Sequence, residues 1–204
     1  IAKKYNLWIV EDAACGFGSK YKGAHVGTIG DAGCFSFHPR KAITTGEGGM
    51  VTTDDSVLAD RLRLLRSHGG VRHAKPGLEF VEPGFNYRLS EIPAILGLSQ
   101  VRRLGGILDD RRGTAARYDA ALQGISGVTV LLPAPGVNWS YQSYVVVLDE
   151  GIDRDGIIGL MAEVMIETTI GTYACHEHPA FAPWSIGVAL PNSARHAAHS
   201  LTLP

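Results

Sequence analysis

A short uninterrupted apolar run at residues 7–10 stops abruptly at the acidic pair Glu11-Asp12. A run of this kind with polar flanks is typical of a strand that is buried on both faces of a parallel sheet. Two further short strands are predicted at residues 33–37 and 50–53, with glycine-rich connections around them. The first part of the chain is therefore predicted to be an α/β domain with a mostly parallel sheet.

A helix follows the third predicted strand. Asp54 or Asp55 can cap its first turn, and the pair Gly69-Gly70 is a common stop signal, so we expect the helix to end there. Residues 70–89 are predicted to be mostly loop, with a turn at Pro76-Gly77.

A long helical pattern begins after Ser90, which is a suitable N-cap, and runs over residues 91–122. The pair Gly105-Gly106 is expected to bend or split it. Strands are then predicted at residues 128–132, 144–148 and 166–170, with a helix at 155–164 between the last two. This order predicts a smaller α+β domain, with the boundary near residue 110 and domains at 1–110 and 111–204.

Composition excludes several classes of function. The formal net charge is -1, from 19 basic and 20 acidic residues, so we expect no nucleic-acid partner. No apolar run is long enough to span a bilayer, and we expect no membrane partner either. Three widely spaced cysteines form neither a disulfide framework nor a CxxC pair, which indicates a reducing, cytoplasmic setting. Because the chain opens without Met and stops just after a polar loop, we expect it to be a piece of a longer protein.

Asp12 and Lys41 are the main candidates for functional residues. Asp12 ends a predicted strand, where ligands bind in open α/β sheets, and could pair with a cationic ring nitrogen, a metal or a ribose hydroxyl. Lys41 lies in the loop after the next strand, where partial burial and the neighbouring Arg40 suit Schiff-base chemistry. Ser36 and the backbone amides of residues 44–49 could bind phosphate. A turn aspartate and a solvent-exposed loop lysine remain the simpler alternatives.

Competing motifs lack either the required residues or the required spacing. Residues 16–21 lack the third glycine of the dinucleotide fingerprint, and Gly18 and Gly23 are not followed by the Lys-Ser/Thr of a P-loop. His176 and His178 lie two residues apart rather than four, so an ordinary polar loop is favoured and no metal is expected.

Four stretches of this sequence are recognisable together. They are residues 10–14 (Val-Glu-Asp-Ala-Ala), residues 30–38, Lys41 with residues 44–49, and residues 84–91 (Gly-Phe-Asn-Tyr-Arg-Leu-Ser-Glu). In this combination the chain resembles the DegT/DnrJ family, which are sugar aminotransferases of the aspartate-aminotransferase fold, also called fold type I. The resemblance implies that the first domain is part of the large cofactor-binding domain and that the second is the small C-terminal domain.

The resemblance also implies roles for particular residues. Lys41 matches the lysine that carries pyridoxal 5'-phosphate as a Schiff base, and Asp12 matches the carboxylate that keeps the pyridine nitrogen protonated. Ser36 matches a contact to the cofactor phosphate. Asn86 matches a residue that reaches the phosphate in the neighbouring subunit, which implies a homodimer with shared active sites. Cys15 stands where many members have glutamine beside the phenolic oxygen of the cofactor, and its role stays open.

The implied reaction is a transamination in two halves. An amino donor, expected to be glutamate, leaves its amino group on the cofactor, and a keto sugar, usually nucleotide-linked, then receives it, as in amino-sugar or polysaccharide biosynthesis. Lys41 acts as general acid and base, and its presence favours transamination, because similar dehydratases carry histidine there. Family members have a long region before the equivalent of Ile1, so we expect this chain alone to bind the cofactor poorly and to be inactive. The alternative is a non-catalytic regulatory or sensory relative.

Overall fold

The computed structural model describes residues 1–73 and 77–204, so the predicted turn at Pro76-Gly77 lies partly outside the described residues. The strands run, in chain order, β1 Val10–Asp12, β2 Lys20–Tyr21, β3 Ala24–His25, β4 Ala32–Ser36, β5 Gly49–Thr52, β6 Gly70–Arg72, β7 Leu78–Phe80, β8 Val128–Val130, β9 Val137–Asn138, β10 Tyr144–Leu148, β11 Thr169–Ile170 and β12 Ser200–Leu203. The α-helices are α1 Ala2–Tyr5, α2 Ser56–Leu65, α3 Glu91–Val101, α4 Leu104–Leu122, α5 Arg154–Glu163, α6 Ala182–Ser185 and α7 Pro191–His199. Short 3-10 helices lie at Cys175–Glu177 and Pro179–Phe181.

The chain forms two compact units. The first contains residues 1–111 and 134–142, and the second contains residues 112–133 and 143–204. The predicted boundary near residue 110 assigned residues 134–142 to the second domain. In the structure they belong to the first unit, because β9 pairs with β2. The assignment of these units to the large and small domains of an enzyme stays a prediction.

The central sheet of the first unit has the order β1-β4-β5. Strands β1 and β4 are parallel, whereas β4 and β5 are antiparallel. The core beside this sheet contains Ala13, Phe37 and Ile43, which are 0%, 4% and 1% exposed. Phe17 packs edge-on against Phe35 and Phe37, with ring centroids 5.3 and 5.9 Å apart.

The first predicted strand is displaced, and its predicted burial is wrong. Strand β1 begins at Val10 rather than at residue 7, and Val10 is 65% exposed. Leu7 and Trp8 precede the strand and are 58% and 64% exposed. Within residues 1–204 as described, β4 is the one strand partner of β1, so the other side of β1 is uncovered in this chain.

The helix after β5 begins as predicted but ends early. The Asp55 carboxylate accepts the N–H groups of Val57 and Leu58, so Asp55 is the N-cap of α2. The helix ends at Leu65, before the glycine pair, and Gly69 has a φ of +67°. This left-handed conformation turns the chain into β6, which forms an antiparallel hairpin with β7. The prediction of mostly loop over residues 70–89 is therefore wrong at both strands.

The long helical pattern is split as expected, a few residues earlier than predicted. Helix α3 ends at Val101 and α4 begins at Leu104, so the break falls at Arg102 and Arg103 rather than at Gly105-Gly106. Both glycines lie inside the first turn of α4.

The second unit is built on a four-stranded sheet of order β11-β12-β10-β8, in which all pairings are antiparallel. The central strand β10 was predicted over the same residues, and its side chains Val146, Val147 and Leu148 are 2%, 4% and 3% exposed. Strands β8 and β11 are shorter than predicted, and α5 begins one residue before the predicted helix.

The end of the chain departs from the expectation of a polar loop. Residues 191–199 form α7, and residues 200–203 form β12, which lies between β10 and β11. Leu201 and Ser200 of β12 are 3% and 2% exposed. The prediction failed because residues 191–199, which carry mostly polar and small side chains, form a helix instead of a loop.

Among the described residues, no helix combines the length and the apolar character that crossing a membrane requires.

Candidate functional site

The candidate site lies at the carboxyl ends of two neighbouring parallel strands, β1 and β4. In this register Asp12 lies beside Cys34, and β4 continues by two residues to Ser36. Parallel strands end at the same edge of a sheet, so the side chains of Asp12 and Ser36 are presented at one edge. The structure therefore brings together two of the residues predicted to bind the cofactor.

The turn after β1 is fixed by its backbone. The Ala13 N–H donates to the Cys34 carbonyl at 2.9 Å, and Ala13 is fully buried. The Asp12 carboxylate accepts the Ala14 N–H at 3.1 Å, and the Gly16 N–H donates to the Ala13 carbonyl at 2.9 Å. The turn leaves the Cys15 side chain exposed at the same edge of the sheet as Asp12.

Residues 37–48 form a closed loop, here called the lysine loop. The Phe37 N–H donates to the Gly48 carbonyl at 2.8 Å, and the Phe37 carbonyl accepts the Thr45 N–H at 3.0 Å and the Thr44 hydroxyl at 2.9 Å. Ile43 anchors the loop in the core at 1% exposure. The loop therefore presents Lys41 from a fixed base rather than from a free chain.

The Lys41 amine reaches the turn after β1. Its Nζ atom donates a hydrogen bond to Cys15 Sγ at 2.9 Å, and the Lys41 side chain is half-buried. The Lys41 backbone N–H donates to the His38 carbonyl at 2.9 Å. Nearby, the Ser36 hydroxyl oxygen accepts the His38 N–H at 3.3 Å. An amine, a thiol, a hydroxyl and a carboxylate are thus gathered at one sheet edge.

Sequence reasoning missed two glutamines that hold the lysine loop. Gln100 of α3 accepts the Thr44 N–H at 3.1 Å and donates to the Thr44 carbonyl at 2.5 Å. Gln142 donates to the carbonyl of Arg40, the residue before the lysine. The Tyr141 carbonyl in turn accepts from the Arg111 guanidinium at 2.9 Å. No local signal in the sequence marks Gln100 or Gln142 as a support of this loop.

Glu11 is the other residue that sequence reasoning passed over. Its carboxylate accepts the N–H groups of Gly27, Ile29 and Gly30 at 2.8, 2.6 and 2.7 Å. Burial raises the pKa of the Glu11 carboxyl, but the hydrogen bonds from Gly30, Gly27 and Ile29 outweigh burial and hold the pKa below its ordinary value. A Cβ at Gly33 would lie 2.3 Å from the Gly27 carbonyl oxygen, so glycine is required there for this close approach.

The contact that the structure gives for Asn86 is with Ser67 rather than with the lysine loop. Asn86 forms an isolated antiparallel bridge with Ser67 and is exposed. Its predicted partner is the phosphate of a second subunit, so its role stays a prediction.

The histidine pair of the second unit is not part of a metal cluster within the described residues. His176 lies in the 3-10 helix Cys175–Glu177, 4.0 Å from the Glu177 carboxylate. In the part of the chain that the structure describes, no three histidine, cysteine, aspartate or glutamate side chains are grouped to hold a metal ion.

The donor set at the sheet edge suits pyridoxal phosphate. An amine can bond to the aldehyde carbon, a carboxylate can pair with a protonated ring nitrogen, and a hydroxyl can donate to a phosphate oxygen. Lys41, Asp12 and Ser36 offer these three groups from one edge of one sheet.

The sequence of this chain is similar to those of known aminotransferases. The profile of the DegT/DnrJ/EryC1/StrS aminotransferase family matches residues 1–204. The UDP-4-amino-4,6-dideoxy-N-acetyl-beta-L-altrosamine transaminase of Campylobacter jejuni is 43% identical over 119 residues, which are 58% of this chain and 32% of that protein.

Solved structures match over the whole chain. The Helicobacter pylori aminotransferase PseC, involved in the biosynthesis of pseudoaminic acid, has a TM-score of 0.94 and 28% identity, over 100% of this chain and 55% of that one. The Streptococcus pneumoniae protein Spr1654, solved in its PLP form, has a TM-score of 0.87 and 29% identity, over 100% of this chain and 54% of that one. The chain thus spans about half the length of these solved relatives.

Proposed function

Because the chain belongs to the DegT/DnrJ/EryC1/StrS aminotransferase family, we propose that the protein containing it transfers an amino group from glutamate to the keto group of a nucleotide-linked sugar. The family's aminotransferases depend on pyridoxal phosphate, and the fold is that of fold type I sugar aminotransferases. The curated relative from Campylobacter jejuni is a transaminase of a UDP-linked amino sugar, which supports a sugar nucleotide as the acceptor.

One observation carries the proposal. The Lys41 amine reaches Cys15 at the edge of the sheet where Asp12 and Ser36 end. A lysine placed by chance on a surface loop would extend into solvent, whereas the Lys41 amine contacts Cys15, three residues after Asp12 at the end of β1.

Each of the three residues has a proposed role that follows from its functional group. When bound, pyridoxal phosphate supplies an electron-withdrawing ring that stabilises negative charge developing on the substrate carbon. Asp12 would pair with the ring nitrogen and keep it protonated, and the Ser36 hydroxyl would donate to the phosphate. The Lys41 amine would hold the cofactor and, when free, would move a proton at the substrate carbon.

We extend the proposal to a homodimer in which Asn86 donates to the phosphate bound by the second subunit. Asn86 is exposed and its backbone is held by Ser67, so the side chain is available for such a contact.

The three cysteines are free, which supports a reducing, cytoplasmic location.

Borohydride reduction of the full-length protein tests the proposal. Reduction fixes a lysine-bound cofactor irreversibly, and peptide mapping is expected to find the phosphopyridoxyl label on Lys41. Lys22, a lysine of the same unit with an exposed side chain, provides the matched control. Lys41→Met should abolish the label and Lys22→Met should leave it in place.

An unlabelled Lys41 in the wild-type protein would sink the proposal and favour a non-catalytic relative of the same fold. If the label is found, a set of keto-sugar nucleotides assayed with glutamate then identifies the acceptor. No turnover with any of them, in a labelled protein, would contradict the substrate class alone.

The activity is proposed for the whole protein. We expect a preparation of residues 1–204 alone to bind pyridoxal phosphate poorly and to lack turnover. Full turnover by this segment would contradict that expectation, and absorbance of the bound cofactor after gel filtration measures it directly.

A further inference from the structure

The contact between Lys41 and Cys15 has a geometry that separates it from an ordinary surface contact. The N···S distance of 2.9 Å is well within hydrogen-bonding range, and the thiol is exposed while the lysine side chain is half-buried. The two backbones are held independently. Lys41 is fixed by its own N–H to the His38 carbonyl, and Cys15 lies in the turn that Ala13 and Gly16 close.

We propose that Cys15 is a positioning residue for the Lys41 amine. Its sulfur accepts a hydrogen bond from Nζ and holds the amine beside the end of β1 whenever Lys41 is not bonded to the cofactor. The inference rests on the proposed function, because only an enzyme that releases and recaptures its lysine needs the free amine kept in place.

The chemistry of the two groups suits this task. A lysine side chain has four rotatable bonds and loses much conformational freedom when it is confined, so an unheld amine would sample many positions away from the cofactor. Sulfur is a weak acceptor, which holds the amine without competing strongly with a covalent bond to the cofactor. A carboxylate at this place would bind the amine more tightly and oppose its release.

A reagent that joins neighbouring amines and thiols tests the contact itself. o-Phthalaldehyde condenses with one amine and one thiol to give a fluorescent isoindole and two water molecules, and it links side chains that already lie together. With the full-length protein freed of cofactor, we expect a fluorescent adduct that mapping assigns to Cys15 and Lys41. Prior loading with pyridoxal phosphate should prevent it, because Lys41 is then occupied.

Matched variants make the result specific. Cys15→Ser should abolish this adduct, whereas Cys175→Ser, which changes another exposed cysteine, should leave it unchanged. If borohydride labels Lys41 and no Cys15–Lys41 adduct forms, this inference fails and the proposed function stands. If neither label nor adduct is found, both fail.

A kinetic measurement tests the consequence. Cys15→Ser keeps an acceptor for the amine, and Cys15→Val removes it at similar size. We expect pyridoxal phosphate to attach to Lys41 about threefold to tenfold more slowly in the valine variant, the effect of one lost hydrogen bond, and at close to the wild-type rate in the serine variant. Attachment is followed by absorbance, with circular dichroism to verify folding. Equal rates in the two folded variants would overturn the proposal.

Discussion

Two strands that look alike in the sequence have different surroundings in the structure. Strand β10 and strand β1 were both predicted as apolar strands, but Val146 of β10 is 2% exposed and Val10 of β1 is 65% exposed. Strand β10 lies between β12 and β8, whereas β1 has β4 as its one partner in the described part of the chain. An apolar run therefore predicts a strand, and the neighbouring strands decide whether it is buried.

Strands β10 and β1 also differ in what they contribute to the molecule. Strand β10 supplies the core of the second unit. Strand β1 ends in Glu11, which accepts N–H groups of the loop at residues 27–30, and in Asp12, which we propose pairs with the cofactor. Substitutions at the end of β1 should therefore change cofactor chemistry and loop stability, and substitutions in β10 should change the stability of the second unit.

The largest effect is expected from Lys41→Met in the full-length protein. The variant loses both covalent capture of the cofactor and the group that moves the proton, so turnover should fall by at least about 10³-fold. The thermal unfolding of the protein, measured without cofactor, should change little, because Lys41 lies on the surface of the lysine loop. A variant that kept most of its turnover would contradict the separation.

A smaller loss is expected from Asp12→Asn. An amide has nearly the same shape as the carboxylate but cannot hold a proton on the ring nitrogen by charge, so turnover should fall by about 10²-fold. The exposed Asp54 provides a matched control, and Asp54→Asn should leave turnover unchanged. Steady-state assays and the absorbance of bound cofactor measure both. Equal turnover in the two variants would exclude Asp12 from the site.

A matched pair of valine variants tests the comparison of the two strands directly. Val146→Ala leaves a cavity in the core of the second unit and should lower the free energy of unfolding by about 2 kcal/mol. Val10→Ala makes the same change on a strand that is exposed in residues 1–204 and should cost less than about 0.5 kcal/mol in that segment. Denaturant unfolding of residues 1–204 measures both. A large loss from Val10→Ala in that segment would contradict the comparison.

The parts of the fold that were predictable from sequence depend on local patterns. The Asp55 cap follows from a side chain that accepts the N–H groups of its own helix, and β10 follows from five consecutive apolar residues. Strand β12 was not predictable, because four residues are too short a pattern and its place between β10 and β11 depends on pairings with residues 31 or more positions away, the nearest being Ile170 with Leu201. The exposure of β1 depends on its sheet neighbours, which no local pattern shows.

The candidate site shows the same division. Asp12, Ser36 and Lys41 became candidates because strand ends meet at one edge of a sheet, which is a general rule for α/β folds. Their roles came from the family resemblance and stay predictions. The support of the lysine loop was missed, since Gln100 is 56 residues from Thr44 and Gln142 is 102 residues from Arg40. Contacts of this range depend on tertiary structure and leave no mark on the neighbouring residues.

The smallest effect, and the one that depends on pH, is expected from Glu11→Gln. The carboxylate accepts three N–H groups through two oxygens, and a glutamine amide offers one oxygen and an NH₂ group, so at least one donor of Gly27, Ile29 or Gly30 loses its acceptor. We expect the free energy of unfolding at neutral pH to fall by about 1 kcal/mol. The exposed Glu167 provides the control, and Glu167→Gln should change it by less than about 0.5 kcal/mol.

The sign of the pH dependence follows from the pKa of Glu11, which the folded structure lowers. A group of this kind stabilises the fold fully above its unfolded pKa of about 4.3, and the stabilisation is lost as the pH falls through the folded pKa. The difference in unfolding free energy between wild type and Glu11→Gln should therefore be constant from pH 7 down to about pH 5 and shrink below about pH 4. Unfolding curves across this range measure it, and a difference that grew on acidification would mean that Glu11 does not clamp the loop at residues 27–30 as a carboxylate.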